Sequence, residues 1–279
     1  MDSALLARIA DALDRLAPLP AAAADPLTGD SFVWDRDRLR AVAPRAAQPL
    51  ARFVGIKTQV AALLANTTRH ARGLPAHDVL LWGARGMGKS SAVRSVHAHL
   101  AADGLALVQV ARDDIATLPA LLRRLETVPR QFLIFADDLS FEADEHQYKA
   151  LRSVLDGGIE ARGDRVRIVV TSNRRHLVVR EHAGAEGAAA INPRDLLDDR
   201  LALADRFGLS LGFHACDQPT YLAIVHGYAA AHGLAVDDAA AVAWALARGN
   251  RSGRVAWQFI EEAAGAAGVR LGQTQGSGG

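Results

Sequence analysis

Cysteine occurs once, at Cys216, so an internal disulfide and any cysteine-built zinc cluster are excluded. The thiol directly follows an expected strand and reads as buried and inert. Lysine is nearly as scarce, present only as Lys57, Lys89 and Lys149 against abundant arginine and alanine. A composition that has so little lysine gives weight to each one retained. The histidines show no H-x-x-x-H or H-E-x-x-H spacing, which removes those metal patterns. No apolar run approaches about 18 residues, and acids interrupt the apolar residues at the N-terminus, unlike a signal peptide. A cytoplasmic location without membrane association is expected. The formal net charge of +1 gives no global field toward nucleic acid or acidic lipid.

What is present is an ordinary globular composition, half hydrophobic and 23% charged, in 279 residues. That length suits one large domain or two modest ones. Residues 2–17 place Leu5, Leu6, Ile9, Leu13 and Leu16 at helical spacing, and Pro18 and Pro20 end that helix. It reads as a packing helix, with a partner-binding helix as the other possibility. A Pro/Ala/Gly-rich linker follows. Phe32-Val33-Trp34 then precedes Arg36, Arg38 and Arg40. Asp35 and Asp37 weaken a nucleic-acid reading, leaving a solvated charge run beside two core aromatics.

Beyond residue 50, strands are expected at 79–82, 105–110, 131–136, 165–170 and 209–213, alternating with helices. The strand at 131–136 is apolar on both faces, which belongs to a covered parallel sheet. After 213 only helices remain, starting near Asp217, Asp237 and Ser252. The expected architecture is α/β, a parallel five-stranded sheet with a small C-terminal helical lid. The boundaries are an N-terminal helix and linker at 1–49, the α/β domain at 50–215, the lid at 216–268 and a disordered tail at 269–279.

The informative motif is Gly83-Ala84-Arg85-Gly86-Met87-Gly88-Lys89-Ser90, a complete G-x-x-x-x-G-K-S loop between an apolar strand and a helix. Its glycines let main-chain N–H groups curl into a nest for phosphate oxygens, and the helix N-terminus adds positive charge. Lys89 is placed for the β- and γ-phosphates, Ser90 for Mg²⁺, and Ser91 continues the loop. Ligands in open α/β sheets lie beyond the strands' carboxyl ends, so the residues that end the other strands should complete the site. Asp137, after four apolar residues, can hold Mg²⁺. Asp138 can polarise an attacking water, or serve as a turn or cap. Asn173 ends the fourth strand as a neutral donor for a γ-phosphate. Arg206 precedes the fifth strand and Arg254 opens the last helix. Each arginine taken alone would be a surface ion pair.

The order of these residues resembles an AAA+ P-loop ATPase module over about residues 50–265. Gly83–Ser90 matches Walker A, Phe132–Asp138 matches Walker B, Asn173 matches sensor 1 and Arg254 matches sensor 2. Phe53-Val54-Gly55 resembles the segment that packs near adenine. Asp205-Arg206-Phe207-Gly208 resembles the region of the arginine finger, with Arg200 the weaker candidate. More narrowly, the runs Leu81–Gly86, Asp137–Phe141 and Thr171–Leu177 resemble a bacterial family of ATP-binding AAA+ proteins with no settled cellular role. The resemblance implies ATP and Mg²⁺ as cofactors, Val54 and Gly55 beside the base, and Lys89, Asp138, Asn173, Arg206 and Arg254 as catalytic residues. It also implies a homo-oligomer with Arg206 reaching a neighbour's nucleotide, acting on a protein client.

One departure is the pair Asp137-Asp138 where most AAA+ proteins carry Asp-Glu. The shorter carboxylate stands about 1 Å farther from the water, a misplacement that lowers a rate by about two orders of magnitude. No aromatic–hydrophobic–Gly threading loop follows the second strand, which argues against an unfoldase. The expectation is therefore an ATP-hydrolysing remodelling or loading factor. A slow-hydrolysing assembly switch is the alternative. A helicase-loader-like, DNA-associated ATPase rests only on the cluster Arg174-Arg175-His176 with Arg180, which is otherwise a solvated loop.

Overall fold

A computed structural model describes residues 25–44, 46–139, 145–156, 163–173 and 203–271. The expected N-terminal helix, the basic cluster with Arg180, the loop 183–190, the helix after Asn192, Arg200 and the tail from Gly272 lie outside the described residues.

Seven strands form one sheet: β1 (Ser31–Asp35), β2 (Arg38–Ala41), β3 (Val79–Gly83), β4 (Ala106–Val110), β5 (Phe132–Ala136), β6 (Val166–Ser172) and β7 (Leu209–Phe213). Their spatial order is β2-β1-β4-β5-β6-β3-β7. Every neighbouring pair is parallel except the β1–β2 hairpin. The five strands expected from the sequence are all present, and the mixed segment near Trp34 supplies the two others.

Alternation along the strands builds two cores. Val79 and Leu81 of β3 and Leu133 and Phe135 of β5 pack with α1 (Lys57–Ala71) and α2 (Lys89–Leu100). Leu80, Phe132 and Ile134 point the other way, toward α3 (Leu118–Glu126) and α4 (Glu145–Leu155). β5 is buried along its whole length, as a central parallel strand should be. Each such large side chain contributes about 1.5–3 kcal/mol on burial.

The hairpin joins the second core through Phe32 and Trp34, and the Trp34 indole donates to Thr117 Oγ1 at 2.7 Å. Arg130 fixes the approach to β1, donating to the carbonyls of Gly104 and Gly29 and to Asp30 Oδ1.

The lid is three helices, α5 (Gln218–His232), α6 (Asp238–Ala247) and α7 (Gly253–Ala266), around its own core of Tyr221, Val225, Ala256 and Ile260. The three expected starts are the observed N-caps. The side chains of Asp217, Asp237 and Ser252 accept from the N–H three residues on, satisfying donors that a helix start leaves open. No described helix is long and apolar enough to cross a membrane.

Candidate nucleotide site

The site is assembled at the carboxyl ends of β3, β5 and β6. Gly83 closes β3 at φ 122°, and a Cβ there would lie 2.2 Å from the Phe213 carbonyl oxygen, so no other residue fits. The N–H of Ala84 donates to that same carbonyl at 2.7 Å, pinning the loop to β7. Gly86 and Gly88 are also left-handed, and the chain then turns directly into α2 with Lys89 as its first residue. Main-chain N–H groups and the start of a 12-residue helix thus share one concavity.

Lys89 is only 6% exposed. Its Nζ donates to the carbonyls of Gly83 (2.9 Å) and Ala84 (2.8 Å) and to Asn173 Oδ1 (2.8 Å). Burial pushes the ammonium down to about 8, with Asp138 and Asp137 opposing that fall. A lysine held this way by neutral oxygens has its charge poorly compensated, which suits an incoming polyanion.

The two acids are wired to β6. Ser90 Oγ donates to Asp137 Oδ1 at 2.5 Å, and Thr171 Oγ1 donates to the same oxygen at 2.6 Å. The Thr171 hydroxyl in turn accepts from the Asp138 N–H at 2.7 Å. Asp138 adopts φ 55°, a left-handed conformation that aspartate tolerates better than most residues. Its Oδ1 accepts from Asn173 Nδ2, and Arg85 Nη2 stands 3.6 Å from Oδ2. Ser90 and Asp137 offer hard oxygen donors beside the phosphate nest, a set that fits Mg²⁺ shared with phosphate oxygens. No group of three or more His, Cys, Asp or Glu able to hold a metal occurs among the described residues.

A cavity of about 490 Å³ opens above this floor. Loop residues 85–91, with Val54, Asp137, Asp138, Asn173 and Arg254, line it. Gly83 and Ala84 do not; their carbonyls hold Lys89 instead. Gly55 is also off the wall. It turns at φ 76°, where a Cβ would stand 2.6 Å from Thr220 Cγ2, and so brings its segment against α5. The apolar end is framed by Phe53, Val54 and Ile56 on one side and Ile224, Tyr228 and Trp257 of the lid on the other. Tyr228 and Trp257 meet edge to face at 5.3 Å. A second hollow of about 340 Å³ shares Arg52, Arg94, Tyr228 and Trp257 with the first.

Arg206 does not line the cavity. Its guanidinium donates to Asp156, which follows the end of α4, and that bond holds the Asp156 carboxyl below the usual carboxylate range. Thr171, Tyr228 and Trp257 are site residues that sequence reasoning missed. Signals existed: Thr171 lies two residues before Asn173, on the same face of an extended chain. Trp257 lies three residues after Arg254 on one helix.

A phosphate loop after β3, paired acids after β5 and a helical lid bonded to the loop make up a P-loop fold of the AAA+ type, which the sequence resemblance implied. Solved structures agree on the fold. The ORC1 protein of Aeropyrum pernix in complex with DNA matches at 18% identity and TM-score 0.58, covering 79% of this chain and 63% of that one. A mutant of the RuvB protein of Thermotoga maritima matches at 18% identity and TM-score 0.52, covering 82% of this chain and 69% of that one. No curated protein matches the chain. The chain belongs to the family described as "Protein of unknown function (DUF815)", whose model matches residues 28–267.

Proposed function

We propose that this protein is a Mg²⁺-dependent ATPase that works as a homo-oligomer, its nucleotide lying between one subunit's loop and the next subunit's Arg206. The observation that carries the reading is the convergence of Lys89, Ser90, Asp137, Asp138 and Asn173 on one cavity floor while Arg206 lies off it. A trans role is the one in which an arginine outside its own cleft serves a nucleotide.

In this reading the base packs between Val54 and Tyr228, and the phosphates lie in the nest of residues 86–90. Ser90 and Asp137 would hold Mg²⁺, which when bound neutralises charge on the phosphate oxygens. Asp138 orients a water in line with the γ-phosphorus. As the water oxygen bonds to phosphorus, the bond to the β–γ bridging oxygen breaks and that oxygen leaves on ADP with the bonding pair. The water's proton passes to Asp138 and then to solvent, and phosphate departs. Lys89 and the partner's arginine stabilise the charge that builds up in the transition state. Cycles of assembly would remodel or load a protein client.

The test is turnover and mass measured with ATP and with a slowly hydrolysed analogue. Assembly with the analogue and turnover that rises with protein concentration are expected. Arg206→Ala and Asp138→Asn should each be inactive. Mixed in equal amounts, they should recover turnover at about a quarter of their head-to-tail interfaces. A mixture that stays inactive although it assembles would remove Arg206 from the trans role.

The alternative, an assembly switch with slow hydrolysis, is favoured by one observation: both oxygens of Asp138 face donors, Asn173 and Arg85. Turnover of several per second above the assembly concentration would dismiss it. ORC1 is a DNA complex in its structure, so stimulation by DNA, lost with added salt, is the arm that would revive the DNA-associated reading.

A further inference from the structure

We propose that Arg85 is the residue by which this site distinguishes a nucleoside triphosphate from a diphosphate. The inference rests on the nucleotide-hydrolysis reading above and names a role within it. Arg85 stands in the phosphate loop between two left-handed glycines, Gly83 and Gly86, so its Cα is fixed although its side chain is 74% exposed. It lines the cavity, and its guanidinium lies 3.6 Å from Asp138 Oδ2, across the floor from its own loop. That places a solvent-exposed, permanently charged fork next to the acid that orients water in this reading.

The hydrogen bonds around it form one line. Lys89 donates to Asn173 Oδ1, Asn173 Nδ2 donates to Asp138 Oδ1, and Arg85 faces Asp138 Oδ2. The three donors suited to a γ-phosphate are therefore the three that hold Asp138 directly or through Asn173. With Oδ1 taken by Asn173 and a guanidinium facing Oδ2, the Asp138 carboxylate is turned toward these donors rather than toward a water. A terminal phosphate offers three acceptor oxygens and up to two charges, against two oxygens and one charge on Asp138. An arginine fork prefers that partner. Arg85 and Asn173 then turn to the γ-phosphate and release Asp138 toward the water. A diphosphate ends short of this point and leaves the pairing as it is. Arg85 touches the substrate in this role and spreads positive charge over the leaving γ-phosphoryl group from within the same subunit.

The experiment compares Arg85→Ala, Arg85→Lys and the unaltered chain, titrating ADP and a slowly hydrolysed ATP analogue and measuring kcat and KM with ATP. For Arg85→Ala the preference for the triphosphate should fall at least about tenfold while ADP affinity falls by no more than about threefold. kcat should drop by about a hundredfold or more, more than KM rises. Arg85→Lys should recover part of the preference, keeping charge without the fork. An unchanged triphosphate preference, or an equal loss for both nucleotides, would overturn the proposal. An unaltered chain that binds both nucleotides but never hydrolyses ATP would sink the ATPase reading, while the preference ratio still decides the role of Arg85.

Discussion

The main-chain N–H of Arg254 donates to the carbonyl of Gly86 at 3.1 Å. The lid is thus bonded to the phosphate loop through backbone, whatever the Arg254 side chain does. At Gly86 a Cβ would lie 2.8 Å from Ser252 Oγ and 3.0 Å from Arg254 Cβ, at φ 75°. Gly86→Ala should therefore push the start of α7 away and open the cleft. The expected result is at least a tenfold loss of nucleotide affinity, about 1.4 kcal/mol, with the sheet intact. Calorimetric titration and hydrogen exchange across residues 218–266 would measure both.

Lys89 should make nucleotide binding depend on pH. Its ammonium is pushed down to about 8 by burial, and a bound polyphosphate favours the charged form. Binding should therefore take up a proton above about pH 8, and affinity should fall by up to about tenfold per pH unit from there toward 10. The fold responds in the opposite sense. Lys89 carries fewer protons folded than unfolded in that window, so its contribution to stability rises with pH. Titrations in two buffers of different ionisation enthalpy would count the proton, and no proton uptake at pH 9 would refute this account of Lys89.

Arg130 tests how the edge hairpin is held. It donates to three carbonyls, those of Gly104, Pro26 and Gly29, and ion-pairs with Asp30 at 2.7 Å, with its side chain only 12% exposed. Arg130→Ala leaves these acceptors without their charged donor and should cost about 2 kcal/mol. Faster hydrogen exchange should concentrate in residues 31–41. Chemical denaturation with residue-level exchange is the measurement, and Arg130→Lys should regain part of the loss.

Asp138→Glu would ordinarily be expected to restore the reach of the longer acid. Here the backbone opposes it, because φ 55° suits aspartate and strains glutamate. The variant should lose about 1 kcal/mol of stability and gain no turnover. A rise in kcat without loss of stability would show that reach, not backbone, sets the rate.

The parallel sheet, the loop and the lid were legible because each is a local signal. Fully apolar strands, one glycine-rich turn and three capping residues need no tertiary information. The β1–β2 hairpin was not legible. Its turn places Arg36 at φ 54°, where glycine or asparagine is the usual marker, and four-residue β2 alternates arginine with apolar residues. The lid side of the apolar cleft wall was hidden for a different reason. Val54 comes from the segment before α1, Tyr228 from α5 and Trp257 from α7, and only lid docking brings them together. Aspartate at 138 was readable as a departure from the family pattern, but its meaning lies in a backbone angle.

The Thr171 hydroxyl donates a hydrogen bond to Asp137 Oδ1 and accepts one from the Asp138 main-chain N–H. A single rotor therefore joins the Asp137 carboxylate to the main chain of Asp138. Whatever draws on the Asp137 oxygen competes with that hydrogen bond and turns the lone pair that anchors the next residue. Thr171→Val removes the rotor while keeping the shape, so it separates the two acids. Asp137 then keeps Ser90 as its donor and Asp138 keeps Asn173, with no hydroxyl between them.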